Sequence, residues 1–172
     1  ATLDGTPVVV CLVHSQVAVV VATIAHPRPH TRVSYVMTDG AALPLVLSDL
    51  VASLTEGGLL AGTVTAGGAF GGDLEAVTVH SGLLLARHIQ HADVLVVGMG
   101  PGVVGTGTVY GTTAVDAAGV LDAAAHLGGN PVLCVRASSG DSRDRHVGIS
   151  HHTRTVAAAT SGYRSGPHSP SS

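Results

Sequence analysis

Asp93-Val-Leu-Val-Val-Gly-Met-Gly-Pro-Gly-Val-Val-Gly-Thr-Gly-Thr108 sets an apolar run directly against a glycine-rich one. The apolar part, Asp93 to Val97, shows no strict alternation, as expected of a β-strand covered on both faces. The glycine-rich part opens a connection of about fifteen residues before helical spacing resumes at Thr113, where strand-to-helix connections usually take about two to six. A strand buried on both sides and followed by a long loop and a helix is half of a βαβ unit.

The same pattern recurs in both directions along the chain. Val8 to Val13, Arg32 to Met37, Thr63 to Ala66 and Pro131 to Val135 read as further buried strands. Leu43 to Leu54 carries apolar residues at helical spacing and stops at Gly57-Gly58, and Thr113 to Leu127 does the same before Gly128-Gly129. Ser81 to His91 is a third helix. Gln16 to Ala25 is as β-branched as a strand, and its place between two strands is what makes it a helix. Glu75 to Val79 reads as a small additional strand. The alternation predicts an α/β fold of three layers, Rossmann-like, around a mainly parallel five-stranded sheet. Right-handed crossovers give 3-2-1-4-5 as the expected strand order.

Composition bounds the setting. A length of 172 residues suits one domain, expected over 7–160, with 1–6 as a linker from an upstream segment and 161–172, rich in Ser, Gly and Pro, as a disordered tail. Only 11% of residues are charged against 45% hydrophobic, too few charges to cover a surface, which predicts a homo-oligomer. A net charge of −3 lacks the basic excess that a phosphate backbone requires, so nucleic acid is not an expected partner. The longest apolar stretch, Val17 to Ala25, is well short of the roughly 20 residues of a membrane span, and the expected location is cytoplasmic. Cys11 and Cys134 lie inside strand-like runs, where thiols act as small hydrophobes rather than as a disulfide framework or nucleophiles.

Polar and glycine-rich clusters each follow a strand: His14-Ser-Gln16, Thr38-Asp-Gly40, Gly67 to Glu75, Gly98 to Thr108, and Ser138 to Asp141 with Ser150 to Thr153. In an open parallel sheet such loops emerge on one side and hold the ligand there, which places His14 beside the Gly98 to Thr108 loop. Gly100-Pro-Gly102-Val-Val-Gly105 matches G-x-G-x-x-G, a pattern that lets backbone N–H groups approach an anion. It follows the fourth strand rather than the first, and its helix starts late, so it reads as a general anion or phosphate cradle and not as a dinucleotide site. A tight structural loop packing glycine against a neighbour is the competing reading.

The candidate cradle residues are Gly98, Gly100, Gly102, Gly105, Thr106, Gly107 and Thr108, with His14, Asp39 and His152 for proton transfer and Gln16, Gly71, Asp73, Glu75 and His151 elsewhere in the pocket. Asp39 reads equally as a turn residue before Gly40, and Ser150 as a helix N-cap. Asp39, Asp73 and His14 would also suit a divalent cation, although no spacing matches a metal motif. His151 and His152 would point about 100° apart on a helix and so not chelate one ion together. No serine sits in a G-x-S-x-G elbow.

The ordered set His14-Ser-Gln16, Val36-Met-Thr-Asp-Gly-Ala-Ala-Leu-Pro44, Thr65-Ala-Gly-Gly-Ala-Phe-Gly-Gly-Asp-Leu-Glu-Ala76, Gly98 to Thr108 and Ser150-His-His-Thr153 resembles a bacterial family known only as a domain of unknown function, DUF3866. The likeness covers Leu3 to Ala159 and corresponds to the C-terminal part of that family, whose members carry a further N-terminal segment. It implies no activity, substrate or catalytic residue. Val19-Val-Val21 and Thr23-Ile24, where stronger helix formers are expected, and the His- and Ser-rich end depart from the pattern.

Three functions compete. One is an enzyme or binding domain that holds a phosphorylated or otherwise anionic small molecule on the Gly98 to Thr108 loop. The second is a divalent-metal-dependent hydrolase. The third is a non-catalytic sensing or assembly domain.

Overall fold

The computed structural model describes residues 1–106, 108–138 and 148–161. Six parallel strands form the main sheet: β1 (Pro7–Val10), β2 (Val33–Thr38), β3 (Gly62–Ala66), β4 (Leu74–Ala76), β5 (Val94–Met99) and β6 (Asn130–Leu133). Between them run α1 (Ser15–Ala25), α2 (Asp49–Glu56), α3 (Val79–His88) and α4 (Ala117–His126). A two-stranded antiparallel ribbon, β7 (Ala137–Ser138) with β8 (Gly148–Ile149), leads into α5 (His151–Ala159). The expected tail beyond 161, Gly107, and Ser139 to Asp141 lie outside the described residues.

The sheet order is β4-β3-β2-β5-β1-β6, which corrects the expected five strands in order 3-2-1-4-5. The small run near Glu75 joins the sheet as β4. The fourth major strand, β5, enters between the first two rather than beyond the first. Strand length accounts for the exchange. β2 and β5 are the two six-residue strands and pair over six rungs, from Val33 opposite Val94 to Thr38 opposite Met99. The four-residue strands β1 and β6 pair over four, and β6 takes the edge, where Pro131 is tolerated. Central placement of the longest apolar strands pairs the most backbone groups away from water.

Alternating strand residues feed two cores. Val8, Val10 and Leu12 with Leu95 and Val97 pack under α3, α4 and α5, meeting Leu83, Leu121 and Val156. Cys11, Tyr35, Met37 and Val96 face the other way, onto Val17 and Val21 of α1 and Val51 and Leu54 of α2. Helices sit on both faces as the three-layer expectation requires. The chain steps from β1 to β2 to β3 along one face and from β4 to β5 to β6 along the other, the outcome of keeping both sets of crossovers right-handed.

Helix limits depart from the periodicity where capping decides. The run Leu43 to Leu54 splits into a 3₁₀ turn, Leu45–Leu47, and α2, because Ser48 takes an extended conformation and its hydroxyl accepts the Val51 N–H. Thr113–Asp116 is likewise a 3₁₀ turn before α4. Thr78 and Ser81 form a capping box that starts α3 two residues early, at Val79.

Candidate functional site

Strand β5 lies between β2 and β1, and the loops leaving β1 and β5 go to opposite faces of the sheet. A crevice opens where they part, the usual ligand position in such sheets. It holds a cleft of about 310 Å³ lined by Leu12, Val13 and Ser15 after β1, Val103 after β5, Ala114 before α4, Arg136 after β6 and His152 of α5. The first turn of α5 is fastened to the end of β6: Ser150 donates its N–H to Arg136 O at 2.9 Å, and Arg136 donates its own to Thr153 Oγ1 at 3.2 Å. Those bonds hold the backbone of Arg136 beside the amino end of α5, and Arg136 lines the same wall as His152. Sequence reasoning missed Arg136, a lone arginine after an edge strand that carries no motif.

His14 belongs to the same edge, but its ring turns away toward α2. Nδ1 lies 3.0 Å from Met99 O and Nε2 lies 2.7 Å from Ser48 Oγ. A carbonyl only accepts, so Nδ1 carries the proton and the Ser48 hydroxyl donates to Nε2. Tyr35 donates its hydroxyl to the carbonyls of Gly98 and Met99, both at 3.1 Å, and closes the group from below. Burial lowers the His14 pKa from the ordinary histidine value and favours the neutral ring, opposed in part by the Met99 bond, which favours the charged one. Ser48 is 4% exposed. Its one signal in the sequence is that of an N-cap before an apolar run.

The glycine-rich connection is a small hairpin. Gly98 and Met99 still belong to β5, and Gly100 donates to Thr38 O at 2.9 Å. Gly105 bridges Thr112 antiparallel, Thr113 donates to Val104 O, Thr106 donates to Gly111 O, and the hydroxyls of Thr106 and Thr108 bond each other. The hairpin accounts for the length of the connection and occupies the N–H groups of Val104, Thr106 and Thr108, while that of Gly100 is spent on β2. The N–H groups of Gly102 and Val103 have no hydrogen-bond partner among the described residues. Gly102 has φ +91°, and a Cβ there would stand 2.9 Å from Ala41 Cβ, so it packs on the turn after β2.

The remaining candidates divide. Asp39 accepts the Ala42 N–H at 2.9 Å, the turn role, and touches the space above Gly68. Gln16 spends its carbonyl on Leu12 and Val13 N–H and its amide on Cys134 O, tying α1 to β1 and β6. Asp73 is drawn back along β3, where it accepts the N–H and hydroxyl of Thr63 at 2.8 and 2.9 Å. Glu75 accepts the Gly71 N–H at 3.1 Å. None of these four lines the cleft, Asp73 and Glu75 because β4 returns parallel to β3, and His14, Asp39 and Asp73 are not brought together. Among the described residues, no three His, Cys, Asp or Glu side chains are grouped to hold a metal ion. The rings of His151 and His152 are 3.8 Å apart, closer than their helical spacing suggested. Cys11 and Cys134 are free thiols with pKa values raised by burial. No described helix is long and apolar enough to cross a membrane.

No curated protein and no solved structure matches the chain. The family model described as Protein of unknown function (DUF3866) matches residues 1–164, and with that match over nearly its whole length the chain belongs to DUF3866.

Proposed function

We propose that the protein binds a small phosphorylated or otherwise anionic molecule in the cleft between β1, β5 and α5. The observation that carries this reading is the convergence of Arg136, Ser15 and His152 on one 310 Å³ cleft at the divergence of the β1 and β5 loops. A guanidinium fits a phosphate or carboxylate as a planar fork. The Ser15 hydroxyl and the N–H groups of Gly102 and Val103 supply neutral donors close by, and the amino ends of α1 and α5 add favourable dipoles. His152 is the wall residue suited to moving a proton, which would make the domain an enzyme.

Calorimetric titration with inorganic phosphate, pyrophosphate and a nucleoside triphosphate tests this. Saturable binding of one of them is expected, with affinity reduced at least about tenfold in Arg136→Ala, the loss of one charge-assisted hydrogen bond. A protein that binds none of the three, or an Arg136→Ala protein that binds as well as the wild type, overturns the reading.

A second reading, assembly with another copy, rests on the outer layer. Helix α1 contains no charged residue, Val19 is 67% exposed on it, and Val46 beside α2 is 77% exposed. Light scattering should then show an oligomer that Val19→Glu dissociates. A wild-type monomer at micromolar concentration would count against it.

A further inference from the structure

We infer that Ser48 and His14 form a nucleophile and general-base pair serving a second cavity, distinct from the anion cleft, that accepts an uncharged acyl ester or thioester. The geometry is that of an activated hydroxyl. Ser48 Oγ donates to the bare Nε2 of His14 at 2.7 Å, and the opposite ring nitrogen is fixed at 3.0 Å on Met99 O, a carbonyl in the orienting position a carboxylate often takes. The neutral ring that burial favours is the form that can take a proton. Val51 N–H points at Ser48 Oγ at 3.0 Å, where it would steady negative charge on that oxygen.

Ser48 also stands in the wall of a cavity of about 320 Å³ with Leu45, Val51, Thr63 and Asp73. The N–H groups of Asp49 and Leu50, adjacent to the nucleophile, have no hydrogen-bond partner among the described residues and would receive the oxygen of a tetrahedral intermediate. The cavity wall includes Glu56 and Asp73 and no Lys or Arg, which disfavours an anionic acyl group and fits an uncharged one.

The step balances without a co-reactant. Ser48 Oγ bonds the carbonyl carbon as its proton passes to His14 Nε2. The bond to the leaving alcohol or thiol breaks, that group departs with the same proton, and water then returns acyl-Ser48 to the free hydroxyl by the reverse roles, releasing a carboxylic acid.

The experiment uses a small alkyl fluorophosphonate, on which Ser48 forms an O–P bond and expels fluoride, with peptide mapping by mass spectrometry. Stoichiometric modification of the peptide bearing Ser48 is expected, slowed about 100-fold in His14→Gln. Ser48→Asn keeps both structural roles, since its carbonyl can cap Val51 and its amide can donate to His14, and should fold but take no label. A folded wild type left unlabelled, a label on any other residue, or a Ser48→Asn protein labelled at the wild-type rate overturns the inference. The mapping stands on the wild type alone if a variant fails to fold, and none of these outcomes depends on phosphate binding at Arg136.

Discussion

Two glycine-rich connections, 67–73 between β3 and β4 and 100–113 between β5 and α4, are alike in composition and opposite in what glycine does for them. In the first, the chain reverses direction to lay β4 parallel to β3 after only seven residues, where a parallel return ordinarily needs a dozen or more. It manages this by running flush against the strand it has just left. A Cβ on Gly72 would lie 2.8 Å from Thr65 N and 3.0 Å from Leu74 O, both backbone atoms that have nowhere to go. In the second, the chain leaves the sheet, folds on itself as a hairpin and comes back, and a Cβ on Gly105 would meet nothing nearer than 3.5 Å. Glycine content alone therefore marks close backbone approach in one loop and permits a solvent-facing turn in the other. Neither use announces a ligand.

The sharpest break in this comparison is Gly72→Val. Every close neighbour of the new side chain is backbone, so β3 and β4 would have to separate, and a loss of about 3 kcal/mol or more, or no folded protein at all, is expected in urea denaturation. A Gly72→Val protein as stable as the wild type would mean that β4 is not held parallel at this register. Gly102→Ala should come next. Its φ of +91° and the 2.9 Å approach to Ala41 Cβ together predict a cost of about 1 to 3 kcal/mol, measured the same way. Gly102, pressed onto the turn after β2, is one place where the second connection resembles the first; Gly111, held against the Thr106 and Thr108 hydroxyls, is another.

Protonation probes the root of the second connection, where His14 holds the Met99 carbonyl. Burial sets the folded His14 pKa below the ordinary value, so in the range below about pH 6.5 the unfolded chain binds more protons than the folded one. The stability tied to His14 is complete above that pH and is lost as pH falls through the lowered folded value. Tm should drop between pH 7.5 and 5.5, and the gap between wild type and His14→Gln should narrow over the same range. A gap that widens on acidification would show that the folded state prefers the charged ring.

The layers, the alternation of strand and helix, and the emergence of polar loops at one edge were legible because each rests on local pattern: buried runs of Val and Leu, helical spacing, glycine after a strand. Strand order was not. Whether β5 lies beyond β1 or between β1 and β2 depends on which lengths match across the sheet, a comparison between segments some sixty residues apart in which Val33–Thr38 and Val94–Met99 emerge as equals only once both ends are known. The site divided along the same line. His14 was singled out through its position after β1, yet its hydrogen-bond partner Ser48 is brought to it by an N-cap on another helix, and Arg136 reaches the cleft through the edge strand and α5. Asp73 misled for the converse reason, since a carboxylate in a loop after a strand was read as pointing to the ligand edge while the loop carried it back to Thr63.

The smallest expected effect is the one that separates cradle from hairpin. Gly105 is the third glycine of the G-x-G-x-x-G match, and if the segment held an anion through its backbone, a methyl group there would crowd the ligand. In the hairpin it has no such duty. Its φ is not in the left-handed region, its nearest neighbours are at ordinary contact distance, and it is absent from the wall of the Arg136 cleft. Gly105→Ala should therefore change stability by no more than about 0.5 to 1 kcal/mol, in the stabilising direction if reduced freedom of the unfolded chain dominates. It should leave phosphate affinity where it was. Melting temperature and titration on one preparation decide the matter: a tenfold loss of affinity at unchanged Tm would move the anion from the Arg136 cleft onto the hairpin, whereas Arg136→Ala losing affinity while Gly105→Ala keeps it assigns the anion to the cleft between β1 and α5.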